Sequence, residues 1–134
     1  MRILHLSDLH MGKFLNDYSL LEVQEKLLKD TLTVCANEKI DVILLCGDLY
    51  DRAIPAVDCV PVFDKFLSEA VLNMGIKVFA ISGNHDSAKR LNFGSSFYKE
   101  KGFFLESSFC GNVNKYTLCD EYGEIDFYPV PFIE

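Results

Sequence analysis

Residues 41–51 read DVILLCGDLYD, a nearly continuous apolar run followed at once by a glycine and two aspartates. An apolar run without alternation is typical of a strand buried on both faces, as in a parallel sheet. Two further stretches, Arg2–Ser7 and Ile76–Ser82, have the same apolar character. The sequence therefore predicts three buried strands.

Two helical patterns separate these strands. The first begins around Ser19, because Ser19 and Glu22 have the spacing of a capping box. Its apolar residues recur at helical intervals, at Leu20, Val23, Leu27, Leu28, Leu32 and Cys35. The second helix is predicted from about Val57 to Asn73, and Gly75 is suited to end it. Its predicted inner face consists of Val60, Phe63, Phe66, Leu67 and Val71. The alternation of strands and helices predicts an α/β fold with a parallel sheet.

The patterns after Gly83 are weaker. Ser87–Tyr98 is predicted to be helical in part. Lys115–Cys119 and Glu124–Tyr128 alternate like strands, with a turn at Tyr122. The chain then ends soon after this strand-like segment, without a helix that would close the layer, which is typical of a fragment of a larger protein.

The composition predicts a folded protein of one domain or part of one. Of the 134 residues, 49% are hydrophobic and 25% are charged. The five cysteines include no C-x-x-C pair, so reduced thiols are expected rather than a structural zinc site. The sequence shows neither a signal peptide nor an apolar stretch of about 20 residues. We therefore expect a cytoplasmic protein that does not enter the membrane.

The formal net charge of -7 argues against a nucleic-acid ligand, because a phosphate backbone attracts lysine and arginine. This argument weakens if several carboxylates bind divalent cations, because each cation reverses the local field. The net charge alone does not decide between these possibilities.

Three polar clusters follow the three predicted strands: Asp8-Leu9-His10, Gly47-Asp48 with Asp51, and Gly83-Asn84-His85-Asp86. The carboxyl ends of parallel strands meet at one edge of a sheet, so the clusters should converge there. Their oxygen and imidazole donors suit Mn, Fe or Zn at a hydrolytic centre. In an extended backbone, Asp8 and His10 would point to the same side and reach one ion. Gly47 and Gly83 would let the chain turn sharply.

In this order and spacing, the motifs D-x-H, G-D-x-x-D and G-N-H-D resemble the signature of calcineurin-like metallophosphoesterases. The segments MRILHLSDLHMGK, GDLYDR and SGNHDSAKRL resemble more narrowly the SbcD family of bacterial DNA nucleases. The resemblance is close over about the first hundred residues and loose after them. It implies a four-layer α/β/β/α sandwich, of which residues 1–134 would form the N-terminal portion.

The resemblance also implies a role for each matching residue. Asp8 and His10 would bind the first metal ion, and Asp48 would bridge it to a second ion bound by Asn84. His85 would lie beside the scissile phosphate, and Asp51 would orient His85. These two residues form the predicted catalytic pair. The implied cofactor is a pair of Mn²⁺ ions, although other divalent metals remain possible.

The sequence departs from the family in its histidines. The family completes its site with further histidines downstream, including a G-H-x-H motif. This sequence has only His5, His10 and His85. The two-ion site is therefore expected to be incomplete, and the isolated chain to bind metal weakly and cleave poorly. The acidic residues of the tail are better explained by a solvated turn than as substitutes; they are Asp120, Glu121, Glu124 and Asp126.

The SbcD resemblance implies exonuclease and endonuclease activity on double-stranded DNA ends and hairpins, in recombination, repair and replication. It also implies an SbcC-like SMC ATPase partner and a homodimer. Two alternatives remain open: a phosphoesterase for small molecules or proteins, and a truncated module without activity of its own.

Several individual residues have two interpretations. His5 is expected in the core or behind the site rather than as a ligand. Asp86 is expected to support the site or to cap the following helix. Lys89 and Arg90 either contact DNA phosphate or lie on a solvated helix face. Core packing is the expected role of the phenylalanines in the second half, namely Phe93, Phe97, Phe103, Phe104 and Phe109.

Overall fold

The computed structural model describes residues 1–133 and is built around a four-stranded parallel sheet. The strands are β1 (Ile3–Leu6), β2 (Phe14–Leu15), β3 (Tyr18–Ser19), β4 (Val42–Cys46), β5 (Lys77–Ile81), β6 (Phe103–Glu106), β7 (Tyr116–Asp120) and β8 (Gly123–Phe127). The helices are α1 (Leu21–Glu38), α2 (Cys59–Ser68), α3 (Ala88–Leu91) and α4 (Ser95–Lys101), and Glu69–Asn73 continues α2 as a π-helical turn. The sheet order β1-β4-β5-β6 confirms the predicted α/β class. Strand β6 was not predicted from the sequence.

The main core lies between one face of this sheet and helices α1 and α2. Ile43 and Val78 point to this face and are fully buried. They pack in one cluster with Leu28 of α1 and with Phe63 and Phe66 of α2. The unbroken apolar sequence of β4 is explained by its place between β1 and β5, where hydrogen bonds occupy both of its edges.

The opposite face of the sheet is only partly covered. The β7–β8 hairpin covers the side near β6, where Phe79 stacks on Phe104 and on Phe127 with ring centroids 4.6 Å apart in both pairs. In β1, Ile3 and His5 are exposed. Of the two places expected for His5, in the core or behind the site, the core is therefore wrong.

Helix α1 begins at Leu21, and its predicted capping box does not form. The Ser19 hydroxyl accepts a hydrogen bond from the Leu21 amide at 3.3 Å instead. The residues buried along α1 are Gln24, Leu28, Thr31 and Cys35. Val23 and Leu27, two of the apolar residues of the predicted helical pattern, are more than half exposed. Leu28 and Cys35 of that apolar pattern are buried, and the polar Gln24 shares their face of the helix.

Helix α2 begins at Cys59, two residues later than predicted, and Val60 is exposed rather than buried. The other predicted inner residues are buried or partly buried. The helix ends at Asn73, as predicted, through the π-helical turn, and Gly75 follows with a φ of +73°.

The segment Ser87–Tyr98 contains the short helix α3 and most of α4, so its prediction as partly helical is confirmed. Phe93 and Phe97 in this segment are 81% and 78% exposed. Core packing was therefore wrong for these two rings, and for Phe109 as well, whereas Phe103 and Phe104 pack against neighbouring side chains. Within residues 1–133, no helix is both long enough and apolar enough to cross a membrane.

Candidate metal centre

Three loops follow strands β1, β4 and β5 and meet at one edge of the sheet. We call them the first loop (residues 7–13), the second loop (residues 47–52) and the third loop (residues 82–87). Backbone bonds join the first two: the amides of Asp8, His10 and Met11 donate to the carbonyls of Gly47, Asp48 and Leu49 at 2.9–3.1 Å. The parallel pairing of β1 and β4 thus continues beyond the strands.

The first two loops bring three predicted metal ligands together. The Nε2 atom of His10 lies 3.9 Å from Oδ1 of Asp8 and 3.7 Å from Oδ2 of Asp48. One ligand atom from each of these three residues lies within 4.8 Å of the others. We call this group the Asp8–His10–Asp48 cluster.

The backbone reaches this arrangement through left-handed conformations. Asp8, His10 and Asp48 have φ angles of +55°, +43° and +47°. The prediction that Asp8 and His10 share a side because the chain is extended was therefore wrong, since both depart from the strand conformation. A non-glycine residue in this region costs about 1–3 kcal/mol and persists only where surrounding contacts impose it. Such strain is concentrated at functional sites.

Asp48 links the second loop to the third. It is buried, and its Oδ1 atom accepts a hydrogen bond from the His85 amide at 2.9 Å. Gly83 lies against it so closely that a Cβ atom there would be 2.1 Å from Oδ1 of Asp48. Gly83 is therefore required by this close approach, whereas Gly47 adopts a φ of +85°. Asn84 is exposed and lies in the sequence between Gly83 and His85, the two residues that contact Asp48.

Asp51 contacts both histidines of the site, but through different atoms. Its backbone carbonyl lies 3.0 Å from Nδ1 of His85, and its carboxylate Oδ1 lies 3.3 Å from Nδ1 of His10. The carboxylate also lies 3.9 Å from Nζ of Lys13 and 3.8 Å from Nε of Arg52. The contact between Asp51 and His85 thus runs through the main chain of Asp51, and its side chain faces His10.

The imidazole of His10 lies at the centre of the site. Its ring packs edge-on against that of His85, with centroids 4.9 Å apart. Its Nδ1 atom is buried and, among the residues that the structure describes, has no well-aligned hydrogen-bond partner, although Asp51 is close. A histidine that binds a metal through one nitrogen commonly presents the other to a carboxylate.

Asp86 fastens the second loop to the third. Its carboxylate accepts hydrogen bonds from the amides of Leu49, Tyr50 and Gly83 at 2.8–3.0 Å. Helix α3 has Ser87 as its N-cap residue and no side-chain cap bond. Of the two interpretations of Asp86, support of the site therefore agrees with the structure and the helix cap does not.

Tyr50 lies behind the second loop, where its ring packs against Phe63 with centroids 5.5 Å apart. Burial raises the pKa of the Tyr50 hydroxyl, so it stays protonated at neutral pH. The side chain therefore adds no charge next to Asp86.

Gln24 was missed by sequence reasoning. Its side-chain amide reaches from α1 to the backbone of the first loop, with bonds to Leu9, His10 and Gly12. The available signal was a polar residue at a position that shares one helix face with Leu28 and Cys35. A buried amide there needs hydrogen-bond partners, and the adjacent loop supplies them.

Residues 1–132 match the profile of the calcineurin-like phosphoesterases. The chain belongs to this family. It is also similar to the SbcD subunit of the nuclease SbcCD from Staphylococcus saprophyticus, with 36% identity over 132 residues. The aligned region covers 98% of this phosphoesterase chain but 34% of the relative, so the chain spans about a third of that protein's length.

The cluster fits the divalent metal that a phosphoesterase of this family requires. Two ligands bonded at about 2.1 Å to one ion stand roughly 3–4 Å apart, and the His10 nitrogen lies at such distances from both carboxylates. These separations are too long for hydrogen bonds. Two carboxylates and one imidazole also form a donor set suited to Mn, Fe or Zn.

Proposed function

We propose that the chain forms the N-terminal, metal-binding portion of a DNA nuclease similar to the SbcD subunit of SbcCD. The observation that carries the proposal is the Asp8–His10–Asp48 cluster, which two loops assemble beside the exposed His85. The similarity to a nuclease subunit over 98% of the chain supports DNA rather than another phosphoester as the substrate.

The proposed cofactor is a pair of Mn²⁺ ions. Asp8, His10 and Asp48 would bind the first ion, and Asp48 and Asn84 would contribute to the second. Such ions, when bound, neutralise phosphate charge and lower the pKa of water. The sequence has no histidine after His85, so the second ion would need ligands from elsewhere. We therefore expect weak binding and poor cleavage by this chain alone.

His85 and Asp51 are the proposed catalytic pair. A carbonyl oxygen only accepts hydrogen bonds, so the contact with the Asp51 carbonyl requires a proton on Nδ1 of His85. Nε2 is then the atom that gives or takes a proton during turnover. His85 contacts the main-chain carbonyl of Asp51 and not its side chain. The Asp51 carboxylate is therefore free to face His10.

The proposed substrates are double-stranded DNA ends and hairpins, cut by exonuclease and endonuclease action during recombination, repair and replication. Bound cations and the exposed side chains of Lys13, Arg52, Lys89 and Arg90 would offset the net charge of -7 near the site. The proposed partner is an SbcC-like SMC ATPase, and the proposed location is the cytoplasm.

A homodimer is proposed as well, with exposed apolar side chains as its support. Ile3 of β1, Phe93 before α4 and Phe97 of α4 are exposed apolar side chains that a monomer in water would have to solvate. Light scattering over a range of protein concentrations tests this directly. A monomer at all concentrations would contradict it.

Mn²⁺ binding is tested by electron paramagnetic resonance, which measures the free ion and thus detects weak sites. We expect one detectable site in the wild-type chain and its loss in Asp8→Asn. Glu124→Gln, which changes an exposed carboxylate of the hairpin, is the matched control and should bind like the wild type. Calorimetry that detects two tight sites would contradict the proposed incompleteness.

Nuclease activity is tested in a chimera in which residues 1–132 replace the matching segment of the Staphylococcus saprophyticus protein. With Mn²⁺ we expect cleavage of hairpin DNA, and its loss in the same chimera carrying His85→Ala. Cleavage of bis-p-nitrophenyl phosphate without cleavage of DNA would favour a different phosphoesterase.

The truncated module without activity of its own is the alternative that one observation favours, namely the count of three histidines. It predicts an inactive isolated chain and an active chimera. If the chimera is also inactive while its fold and metal content are normal, the nuclease proposal fails.

A further inference from the structure

Gln24 is a buried polar residue that none of the family motifs includes. It lies in the first turn of α1, and 8% of its surface is exposed. Its neighbours on the inner face of the helix, one and three turns further on, are Leu28 and Cys35, both in the hydrophobic core. A primary amide in such surroundings is stabilised only if its donors and its acceptor are satisfied.

The first loop satisfies all of them. Nε2 of Gln24 donates to the carbonyls of Leu9 at 3.0 Å and His10 at 2.7 Å. Oε1 accepts from the amide of Gly12 at 3.0 Å. One planar side chain therefore engages three successive points of the loop that carries two of the three cluster residues.

The loop needs these bonds because its backbone leaves the strand conformation. His10 and Gly12 have φ angles of +43° and +84°. The second loop bonds the amides of His10 and Met11, and Gln24 engages the carbonyl of Leu9 and the amide of Gly12. The left-handed conformation at His10 is thus held from two sides.

We propose that Gln24 is a positioning residue that sets the affinity of the Asp8–His10–Asp48 cluster for a divalent ion. It acts by holding the backbone of the first loop so that Nε2 of His10 faces both carboxylates. The inference rests on the proposed function, because it presumes that this cluster binds metal.

Two substitutions test the hydrogen bonds of the Gln24 amide separately from the space that its side chain fills. Gln24→Met preserves the length of the side chain and removes both donors and the acceptor. Gln24→Glu preserves an acceptor for Gly12 but directs a carboxylate at the carbonyls of Leu9 and His10, which repel it. Leu28→Ala is the matched control, because it weakens the same face of α1 through packing and leaves the loop bonds in place.

The experiment measures Mn²⁺ binding by electron paramagnetic resonance and thermal unfolding without metal for each chain. We expect Gln24→Met to weaken Mn²⁺ binding about tenfold or more, as for other residues that orient a metal ligand, and Gln24→Glu to weaken it further. Leu28→Ala should lower the melting temperature at least as much as Gln24→Met does. It should bind Mn²⁺ with the affinity of the wild type.

A second readout needs no metal. In the wild-type chain, hydrogen exchange of the Gly12 amide should be slow. It should become fast in Gln24→Met and stay slow in Leu28→Ala. Mn²⁺ affinity within twofold of the wild type in Gln24→Met, or equal losses in Leu28→Ala, would overturn the inference while leaving the proposed function intact. Absence of Mn²⁺ binding by the wild-type chain would overturn both.

Discussion

The three loops and the β7–β8 hairpin are both rich in carboxylates, but they use them differently. In the loops, Asp48 and Asp86 bond to backbone amides of neighbouring loops, and Asp48 also faces an imidazole. In the hairpin, Asp126 is bonded to Thr117 of the adjacent strand β7 and to Lys115, which directly precedes that strand. Asp48 and Asp86 join separate loops and fix a geometry suited to an ion. The bonds of Asp126 stabilise the hairpin itself, and Asp120 of the same hairpin bonds the N-terminal ammonium of Met1.

The largest effect is expected for Asp86→Ala. Three backbone amides of the second and third loops would lose their acceptor. At about 1–1.5 kcal/mol net for each bond, the free energy of unfolding should fall by about 3–5 kcal/mol. Urea denaturation measures this loss. Asp86→Asn, which still offers one oxygen, should lie between Ala and wild type; equal stability of Ala and wild type would contradict the comparison.

Gly83→Ala and Gly123→Ala compare the same change in both regions. At Gly83 a Cβ atom would be 2.3 Å from the Asp48 backbone nitrogen, so the loops must move apart. We expect a loss of about 2–3 kcal/mol, as in overpacked sites, and loss of Mn²⁺ binding. At Gly123 a Cβ atom would have no atom of residues 1–133 within 4 Å apart from its chain neighbours, and the φ of +128° is what opposes alanine.

Alanine at Gly123 should therefore disturb Mn²⁺ binding less than alanine at Gly83. Gly123→Ala is expected to cost about 1 kcal/mol through backbone strain and to leave Mn²⁺ binding unchanged. For Gly83→Ala and Gly123→Ala alike, urea denaturation measures the free energy of unfolding and titration with Mn²⁺ measures the metal affinity. A loss of metal binding in Gly123→Ala would show that the hairpin and the loops are coupled.

Tyr116→Phe tests how the hairpin is attached to the sheet. The Tyr116 hydroxyl donates to Glu106 of β6, and its ring packs against Phe104 with centroids 4.9 Å apart. Burial, followed by the Glu106 hydrogen bond, raises the pKa of Tyr116. The substitution keeps the ring and removes the bond, so we expect a loss of about 1 kcal/mol without a change in metal affinity. A change in metal affinity would argue against separate roles of the two regions.

The smallest effect is expected for Asp126→Asn, and it depends on pH. The hydrogen bonds from Thr117 and then Lys115 lower the pKa of Asp126 below its ordinary value of 3.8. A lowered pKa contributes stability that is present above the unfolded value and is lost as pH falls through the folded one. The stability difference between wild type and variant should thus be present well above pH 3.8 and diminish as the pH falls below that value. A constant difference over this range of urea titrations would contradict it.

The sequence correctly predicted that the clusters after the three strands meet at one edge of the sheet. It did not predict the backbone conformation of the first loop. The polar clusters after β1, β4 and β5 do meet at one edge, because parallel strands end on the same side. The i, i+2 argument for Asp8 and His10 failed, since both adopt left-handed conformations. Local propensity disfavours that conformation for these residues, and only contacts with Gln24 and the second loop impose it.

The sequence also did not show which phenylalanine side chains are exposed. Phe93 and Phe103 look alike in the sequence, yet the first is exposed and the second is buried in β6. The difference arises because β6 joins the edge of the sheet by pairing with β5, a contact between distant segments. The roles of the predicted site residues stay predictions.

By itself, the sequence determined the α/β class, the alternation of the first three strands with helices and the three polar clusters at the strand ends, because hydrophobic periodicity and motif spacing are local properties of a chain. Only the tertiary structure decided that Gln24 holds the first loop, that Asp86 joins the other two and that the Asp51 carboxylate faces His10. Those contacts connect residues up to 41 positions apart, and hydrogen-bond geometry across such separations exists only once the sheet has brought the loops together.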